Sequence, residues 1–158
     1  MSVNRAITRG AGAATQQARI LTDADDIEPW LHDAAHYPGG HTTEVSLPRS
    51  ESQLAAVLAR RLPVLAVGAQ SSLTGGATPR GEIVLSTARM DRVIEWKSDS
   101  VVVEPGLLLA TLEEQLRARA LYCPPASTFD GASVGGTVAA NAVGAATFKY
   151  ATTRPSVS

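Results

Sequence analysis

Two glycine-rich segments constrain what this chain of 158 residues can fold into more than any other feature of its sequence. The first, Gly68–Gly76, follows a short apolar stretch, and the second runs from Gly131 to Gly144. Such segments are typical of sites where several backbone amides converge on a phosphate, because glycine accepts a positive φ and lets a ligand approach closely. Together they favour an extended anion such as a dinucleotide pyrophosphate, while close packing of small residues is the alternative interpretation.

Neither of the two most familiar phosphate-binding motifs fits the first segment. It lacks the G-x-G-x-x-G order of a Rossmann site and the Gly-Lys-Ser/Thr ending of a P-loop, and Pro79 with Gly81 prevents a helix from starting behind it. Taken alone, Gly68–Gly76 is better interpreted as an exposed turn between strands. The presence of the second segment is what favours a binding site.

The second segment also contains a serine-hydrolase signature. Gly131–Gly135 has the G-x-S-x-G order of a nucleophile elbow, with Ser133 at its centre. That chemistry needs a strand before the serine and a later acid and histidine. No strand pattern precedes Ser133, no acidic residue follows it, and all three histidines lie upstream, so the hydrolase interpretation is set aside.

Composition excludes several other classes of function. Fourteen Lys and Arg against fifteen Asp and Glu leave a net charge of −1, and aromatic residues make up 4%, which predicts no nucleic-acid partner. No run of eighteen apolar residues exists, and the single cysteine excludes an internal disulfide. We predict no membrane span, no metal site and a cytoplasmic location.

The order of predicted elements indicates an α+β fold. A leader extends to residue 22, and a helix follows at 22–34 with Ile27, Trp30 and Leu31 on one face. The pattern then predicts extended strands and two helices: Glu44–Leu47, a helix from Ser50 that stops before Pro63, Val64–Val67, Ile83–Leu85, Arg92–Trp96, Val101–Val103 and a helix at Leu108–Leu121 with Leu108, Leu112, Leu116 and Ala120 facing inward. This is not a regular βαβ series.

An ordered set of short motifs resembles a known family. The set comprises Pro63–Gly68, Ser71–Gly76, Pro79–Gly81, Val84–Ser86, Glu104–Gly106, Tyr122–Pro125, Gly131–Asn141, Phe148–Tyr150 and Thr152–Arg154. It resembles the FAD-binding domain of the p-cresol methylhydroxylase (PCMH)/vanillyl-alcohol oxidase superfamily, nearest the branch of the glycolate oxidases and D-lactate dehydrogenases. The resemblance divides the chain into a leader with a short helix, 1–36, and an FAD-binding PCMH-type domain, 37–158. It implies small mixed sheets with packed helices and an incomplete second subdomain.

The resemblance also implies which residues bind the cofactor. The first segment would wrap the FAD pyrophosphate, Pro105 and Gly106 would flank the cofactor, and Pro124 and Pro125 would lie close to the isoalloxazine. The full predicted set is Gly68, Ala69, Gln70, Ser71, Ser72, Leu73, Thr74, Gly75, Gly76, Pro105, Gly106, Pro124, Pro125, Ser133, Gly135, Gly136, Thr137 and Asn141. Family members with a covalent flavin carry a histidine in the first segment. Serines stand there in this chain, so FAD is predicted to bind non-covalently.

Two functions from different classes follow. The first is the FAD-binding domain of a flavin-dependent oxidoreductase, in which the resemblance implies hydride transfer from a 2-hydroxy acid to the flavin. The chain departs from the family at Ala151, where glycine is usual, and after Arg154, and relatives are several times longer. We therefore expect an N-terminal fragment, inactive alone, that needs a missing C-terminal half or a partner chain. The alternative is a truncated, non-catalytic fragment that is a folding relic or an interaction module.

Overall fold

The first of two small sheets is mixed and has four strands. The computed structural model describes residues 17–123 and 129–157. The sheet comprises β1 (Arg19–Leu21), β2 (Val45–Leu47), β3 (Val64–Val67) and β4 (Ile83–Ser86). Their order across the sheet is β1-β2-β4-β3, with β2, β4 and β3 parallel and β1 antiparallel to β2. The second sheet is the antiparallel pair β5 (Val93–Trp96) and β6 (Val101–Val103).

Five short helices accompany the sheets in the described residues. They are α1 (Ala24–Ile27), α2 (Glu51–Leu58), α3 (Leu109–Arg117), α4 (Val134–Ala139) and α5 (Thr147–Tyr150), with 3-10 turns at Glu28–Trp30 and Arg154–Ser156. None of the helices in 17–123 or 129–157 is long and apolar enough to cross a membrane. The architecture is the predicted α+β class, built from small mixed sheets and packed helices.

The central strands of the first sheet are covered on both faces. Every residue of β2 and β4 is buried, and apart from Ser46 and Ser86 these residues are apolar, as expected for strands covered on both faces. One face packs a cluster that includes Val45, Val67 and Val84, and the other packs Val57 of α2 against Ile83 and Leu85 of β4. The predicted strands in this half of the chain are confirmed.

Helix α2 begins as the capping pattern predicts. The Ser50 hydroxyl accepts a hydrogen bond from the Gln53 amide at 3.3 Å. The Gln53 side chain in turn accepts from the Arg49 amide at 2.8 Å, one residue earlier than in a standard capping box. The helix ends at Leu58 and the chain turns at Arg61, whose φ is +56°, before Pro63 starts the approach to β3.

The second sheet packs against α3, and two details of the prediction were wrong there. Leu109, Leu112 and Leu116 are the buried side chains of α3. Leu108 was predicted to face inward but is the N-cap residue and 42% exposed. Ala120 was also predicted to face inward but lies beyond the helix end, with φ +55°. The inward face starts one residue later than the pattern of leucines suggested, because the helix itself starts at Leu109.

The N-terminal part of the described chain contains a strand that the sequence did not predict. β1 pairs with β2 through Arg19 and Leu47, Ile20 and Ser46, and Leu21 and Val45. The helix predicted at 22–34 is shorter, because α1 passes into the 3-10 turn containing Pro29. Its predicted apolar face is confirmed: Ile27 is buried in the first core, against which Trp30 and Leu31 pack.

Candidate functional site

The two glycine segments meet in the folded chain. Gly68 comes directly after β3, and a Cβ atom added to it would lie 2.3 Å from the Ser133 Oγ. The same Cβ would lie 3.8 Å from the Gly136 Cα. Gly68 and Ser133 are far apart in the sequence, so this contact is a product of the tertiary fold. We call the contact of Gly68 with Ser133 and Gly136 the glycine junction.

A third segment, Pro105–Gly106, packs against the second glycine segment. The Gly135 amide donates to the Pro105 carbonyl at 2.8 Å, and the Val134 amide donates to the Leu107 carbonyl at 2.8 Å. A Cβ on Gly135 would lie only 2.7 Å from the Pro105 Cβ. The absence of a side chain at position 135 is therefore what lets these two segments touch.

Gly106 connects the same region to the end of the first sheet. Its amide donates to the Met90 carbonyl at 2.7 Å, and a Cβ on it would lie 2.0 Å from the Thr87 carbonyl oxygen. The Thr87 amide donates to Val67, the last residue of β3, at 2.9 Å. The ends of β3 and β4, the Pro105–Gly106 turn and the start of α4 therefore converge in one place.

The first glycine loop, Gly68–Gly76, holds unused backbone donors. Among the described residues, none accepts a hydrogen bond from the amides of residues 70–73. The Ser72 hydroxyl accepts from the Thr74 and Gly76 amides, each at 3.2 Å, which fixes the second half of the loop. Gln70 and Gly75 adopt positive φ values of +53° and +77°. The loop therefore presents consecutive free N–H groups in a turning backbone, the arrangement that suits an anion.

The second glycine segment contributes in a different way. The amides of Val134 and Gly135 donate to the Leu107 and Pro105 carbonyls, as described above. Those of Gly136 and Thr137 donate to the Ser133 hydroxyl at 3.3 Å and its carbonyl at 3.0 Å. These four amides are thus used inside the protein. At the glycine junction, this segment contributes a backbone that Gly68 can approach closely.

The remaining predicted site residues are placed as follows. Thr137 is buried and its hydroxyl donates to the Val134 carbonyl at 2.8 Å. Asn141 has φ +46°, and its side-chain oxygen accepts from the Arg154 amide at 2.9 Å, which ties the C-terminal residues to the end of α4. Ala69, Leu73, Thr74 and Gly76 lie on the first loop, where Leu73 is 77% exposed. Pro124 and Pro125 lie outside the described residues. Contact of any of these residues with a cofactor stays a prediction.

Asp33 is a residue of this site that the sequence did not reveal. Its side chain is 2% exposed, and its carboxylate accepts from the Ala77 amide at 3.2 Å and from the Ala35 amide at 3.0 Å. Burial acts to raise the pKa of the Asp33 carboxyl, but hydrogen bonds from Ala77, Ala35 and Ser72 outweigh burial and lower that pKa. The only sequence signal was one aspartate at the end of an amphipathic stretch, which is equally typical of a solvated helix end.

A cavity of about 340 Å³ is lined by residues between Glu28 and Gly40. His32, His36 and Tyr37 are among its lining residues, and the two imidazole rings lie 5.3 Å apart. The Tyr37 ring packs on Gly75, where a Cβ would lie 3.0 Å from its Cδ2. Within residues 17–123 and 129–157, no group of three His, Cys, Asp or Glu side chains is arranged to hold a metal ion.

The side chains near the C-terminal end of the site form a tyrosine pair. The Tyr122 hydroxyl donates to the Tyr150 hydroxyl at 2.9 Å, which brings two of the sequence motifs together. Lys149, and then Tyr122, lower the pKa of the Tyr150 phenol. Burial, and to a smaller extent Glu113, raise the pKa of the neighbouring Cys123 thiol, so this cysteine is a protonated packing residue.

Comparison with known proteins identifies relatives of this chain. The family described as "FAD binding domain" matches residues 43–158. A D-lactate dehydrogenase of Anaerostipes hadrus is 29% identical over 86% of this chain and 30% of the relative. A mitochondrial D-2-hydroxyglutarate dehydrogenase of Bos taurus is 31% identical over 88% of this chain and 27% of the relative. The chain therefore spans less than a third of the length of these relatives.

Solved structures show the same fold. An alkyldihydroxyacetonephosphate synthase matches with a TM-score of 0.75 and 16% identity, over 86% of this chain and 29% of that chain. At this identity the likeness concerns the fold alone. The predicted family resemblance, including its D-lactate dehydrogenase branch, is confirmed by the family match and by the relatives.

Proposed function

Because the chain belongs to the FAD binding domain family, we propose that it binds FAD non-covalently as the cofactor-binding part of an oxidoreductase that acts on 2-hydroxy acids. The substrate class is taken from the relatives, which are named for D-lactate and D-2-hydroxyglutarate. When bound, the flavin supplies the redox chemistry, accepting a hydride from the substrate and passing the electrons on. The residues of this chain supply binding and orientation.

The observation that carries this proposal is the position of the free amides of residues 70–73 next to the glycine junction. A pyrophosphate needs several convergent donors and a backbone without Cβ atoms at the point of closest approach. The first glycine loop supplies the donors, and Gly68, whose missing Cβ lets it pack against Ser133, brings the second segment beside that loop. The loop contains no Lys or Arg, so the backbone carries the recognition of the anion. The residues present therefore fit the cofactor.

Non-covalent binding is supported by the chemistry of the loop side chains. Residues 68–76 include no histidine or cysteine that could attach to the flavin ring, and the hydroxyls of the two serines at 71 and 72 are weak nucleophiles. Denaturation of the FAD-loaded chain in acid should release all flavin into solution. Yellow colour that stays with the precipitated protein would contradict this part of the proposal.

The first experiment tests cofactor binding directly. The purified chain is incubated with FAD and desalted, and its absorbance spectrum is recorded together with a titration of FAD affinity by calorimetry. We expect retained flavin at close to one equivalent. Gly68→Val should abolish retention, because its side chain would occupy the position of the Ser133 hydroxyl. Ala55→Val, which adds bulk at an exposed position of α2 outside the site, is the control, and flavin should be retained.

Two results would separate the competing functions. A chain that is folded by circular dichroism yet retains no flavin would overturn the proposal and favour the non-catalytic fragment that is a folding relic or an interaction module. If FAD is retained, anaerobic addition of D-lactate or D-2-hydroxyglutarate tests the substrate class. Bleaching of the flavin band supports the 2-hydroxy-acid assignment. If the flavin band persists, this chain binds the cofactor without oxidising the substrate, and catalysis needs a further domain or a partner chain.

A further inference from the structure

Residues 29–35 form hydrogen bonds with residues at both ends of the first glycine loop. Asp33, within this segment, accepts hydrogen bonds from both directions, and the Ser72 hydroxyl of the loop contributes another. Its Oδ2 accepts from the Ala77 amide, directly after the loop, at 3.2 Å. Its Oδ1 accepts from the Ala35 amide, within its own segment, at 3.0 Å. The buried carboxylate therefore links the end of the loop to the N-terminal segment.

Gln70 makes a second set of links at the start of the loop. Its side-chain nitrogen donates to the Pro29 and His32 carbonyls, each at 2.9 Å, and its own carbonyl accepts from the Ala34 amide at 2.9 Å. These bonds hold Gln70 in the left-handed region, at φ +53°, which a residue with a side chain rarely adopts without such support. The loop is thus fixed at both ends by the same segment.

An ionised carboxylate is the group that this position requires. Both oxygens of Asp33 accept from backbone amides, whereas asparagine would present an NH₂ group to one of them. Among the described residues, no Lys or Arg forms an ion pair with Asp33. The carboxylate is therefore stabilised by hydrogen bonds alone. Its negative charge opposes the binding of an anion nearby, so its presence beside this loop has to be explained by geometry.

We propose that Asp33 is a positioning residue: with Gln70 it fixes the Gly68–Gly76 loop so that the amides of residues 70–73 remain free to bind the flavin pyrophosphate. This inference rests on the proposed function for the identity of the anion. The loop geometry itself can be tested without any cofactor. Asp33 does not contact the anion in this scheme but acts through the backbone that does.

Asp33→Asn distinguishes positioning from a purely electrostatic effect. Removal of the negative charge alone would tighten the binding of an anion. Loss of one amide acceptor would disorder the loop and weaken binding. We expect the second effect to dominate, with FAD affinity about tenfold lower, the size of one lost hydrogen bond to a charged group. Affinity equal to or tighter than that of the wild-type chain would overturn the proposal.

Two controls distinguish loss of positioning from a change of net charge and from a general loss of stability. Asp25→Asn makes the same charge change on an exposed residue of α1 and should leave FAD affinity unchanged. Val57→Ala destabilises the core on the α2 side of the sheet, away from the loop, and should lower the melting temperature with little effect on affinity. A merely structural Asp33 would instead behave like Val57, losing stability without a selective loss of affinity.

Hydrogen exchange of the cofactor-free chain tests the inference independently of FAD. In Asp33→Asn the Ala77 amide should exchange faster, together with the Thr74 and Gly76 amides, while the amides of β4 keep their protection. If the wild-type chain binds no FAD, the proposed function fails, but this result still decides the role of Asp33. Unchanged exchange at Ala77 would overturn it.

A second variant covers the case in which Asp33→Asn does not fold. Gln70→Leu keeps the side-chain volume and removes the two hydrogen bonds to Pro29 and His32. FAD affinity should fall by about three- to tenfold, since these bonds are neutral and partly exposed to water. A folded Gln70→Leu chain with wild-type FAD affinity and wild-type hydrogen exchange in the loop would contradict the proposed positioning of the loop by Asp33 and Gln70.

Discussion

At the scale of single residues, the packing of this site depends on glycines, which lack a Cβ atom. Gly68, Gly106 and Gly135 each lie where a Cβ atom would come within 3 Å of another segment. Contacts this short leave no room for adjustment, since the opposing atoms at Gly106 are backbone and those at Gly135 belong to the Pro105 ring and carbonyl. The glycines therefore set how closely the segments of the site can approach one another.

The neighbouring glycines of α4 provide a test of this steric role. Gly135→Ala gains helix propensity but forces its Cβ to 2.7 Å from the Pro105 Cβ, so we expect a net loss of about 1–2 kcal/mol in the free energy of unfolding. Gly136→Ala makes the same change one residue later, where the nearest atom is the Ser133 Oγ at 3.0 Å. It should stay within about 1 kcal/mol of the wild-type value. Urea denaturation of both variants measures the difference, and equal stabilities would refute the steric argument.

The lowered pKa of Glu104 indicates how the stability of the chain should depend on pH. Hydrogen bonds from the Arg92 side chain, at 2.7 and 3.1 Å, are the main cause that lowers the pKa of the Glu104 carboxyl below 4.5, against the opposing effect of burial. Because the unfolded chain holds this proton more tightly, the stabilising contribution of Glu104 is present above about pH 4.5 and is lost as the pH falls through the lowered value.

Glu104→Gln should therefore be less stable than the wild-type chain at pH 7. The gap should narrow steadily as the pH falls below about 4.5, because the wild-type carboxyl then becomes neutral as well. Thermal unfolding of both chains between pH 7 and pH 3 measures the gap. Glu114→Gln on α3 makes the same change of net charge and is measured as the control. A gap that is constant with pH would show that the charge of Glu104 contributes nothing.

At the scale of elements, the parallel strands of the first sheet follow directly from their sequences, whereas β1 does not. Val64–Val67 is an apolar run between Pro63 and Gly68, and every residue of Ile83–Ser86 is buried, as expected for a strand covered on both faces. β1 has only three residues, two of which are exposed. Its pairing partner, β2, lies more than twenty residues later, so no local sequence pattern predicts β1.

Leu21 tests whether β1 is an integral part of the first core. Its side chain is 8% exposed and belongs to the cluster around Val45 and Val84, so Leu21→Ala should cost about 2–4 kcal/mol in the free energy of unfolding. Ile20→Ala, at the adjacent position, removes a side chain that is 46% exposed and should cost less than about 1 kcal/mol. Similar losses for the two variants, measured by urea denaturation, would mean that β1 does not pack as described.

At the scale of the whole molecule, the chain has cores on the two faces of the first sheet and a further core between α3 and the second sheet. The connections between these parts described above run through the glycine junction, the Pro105–Gly106 turn and the carbonyls of Thr87 and Met90. A dinucleotide bound at this convergence would contact both parts. Binding should therefore couple their stabilities.

The two tryptophans report on the two parts separately. Trp30 packs against the first core, and Trp96 packs against the core of α3 and the second sheet, under the Arg119 guanidinium at 3.9 Å. Trp96→Phe and Trp30→Phe each leave one reporter. At an FAD concentration of about 100 times the dissociation constant, we expect both fluorescence transitions to shift by the equivalent of about 2.7 kcal/mol. A shift seen by one tryptophan alone would mean that the cofactor does not bridge the two parts.

The sequence by itself determined the elements and residues whose signal is local. Each apolar run, the Ser50 cap and each glycine segment consists of residues that lie close together in the sequence. The α+β class and the candidate segments could therefore be predicted. The tertiary structure alone decided which segments touch: Gly68 with Ser133, Gly135 with Pro105, and Asp33 with Ala77. It also decided which amides are free, since the first loop keeps its donors while those at the start of α4 are used internally. The physical reason is that a hydrogen bond or a steric contact depends on distance in space, and chain folding sets that distance between residues dozens of positions apart.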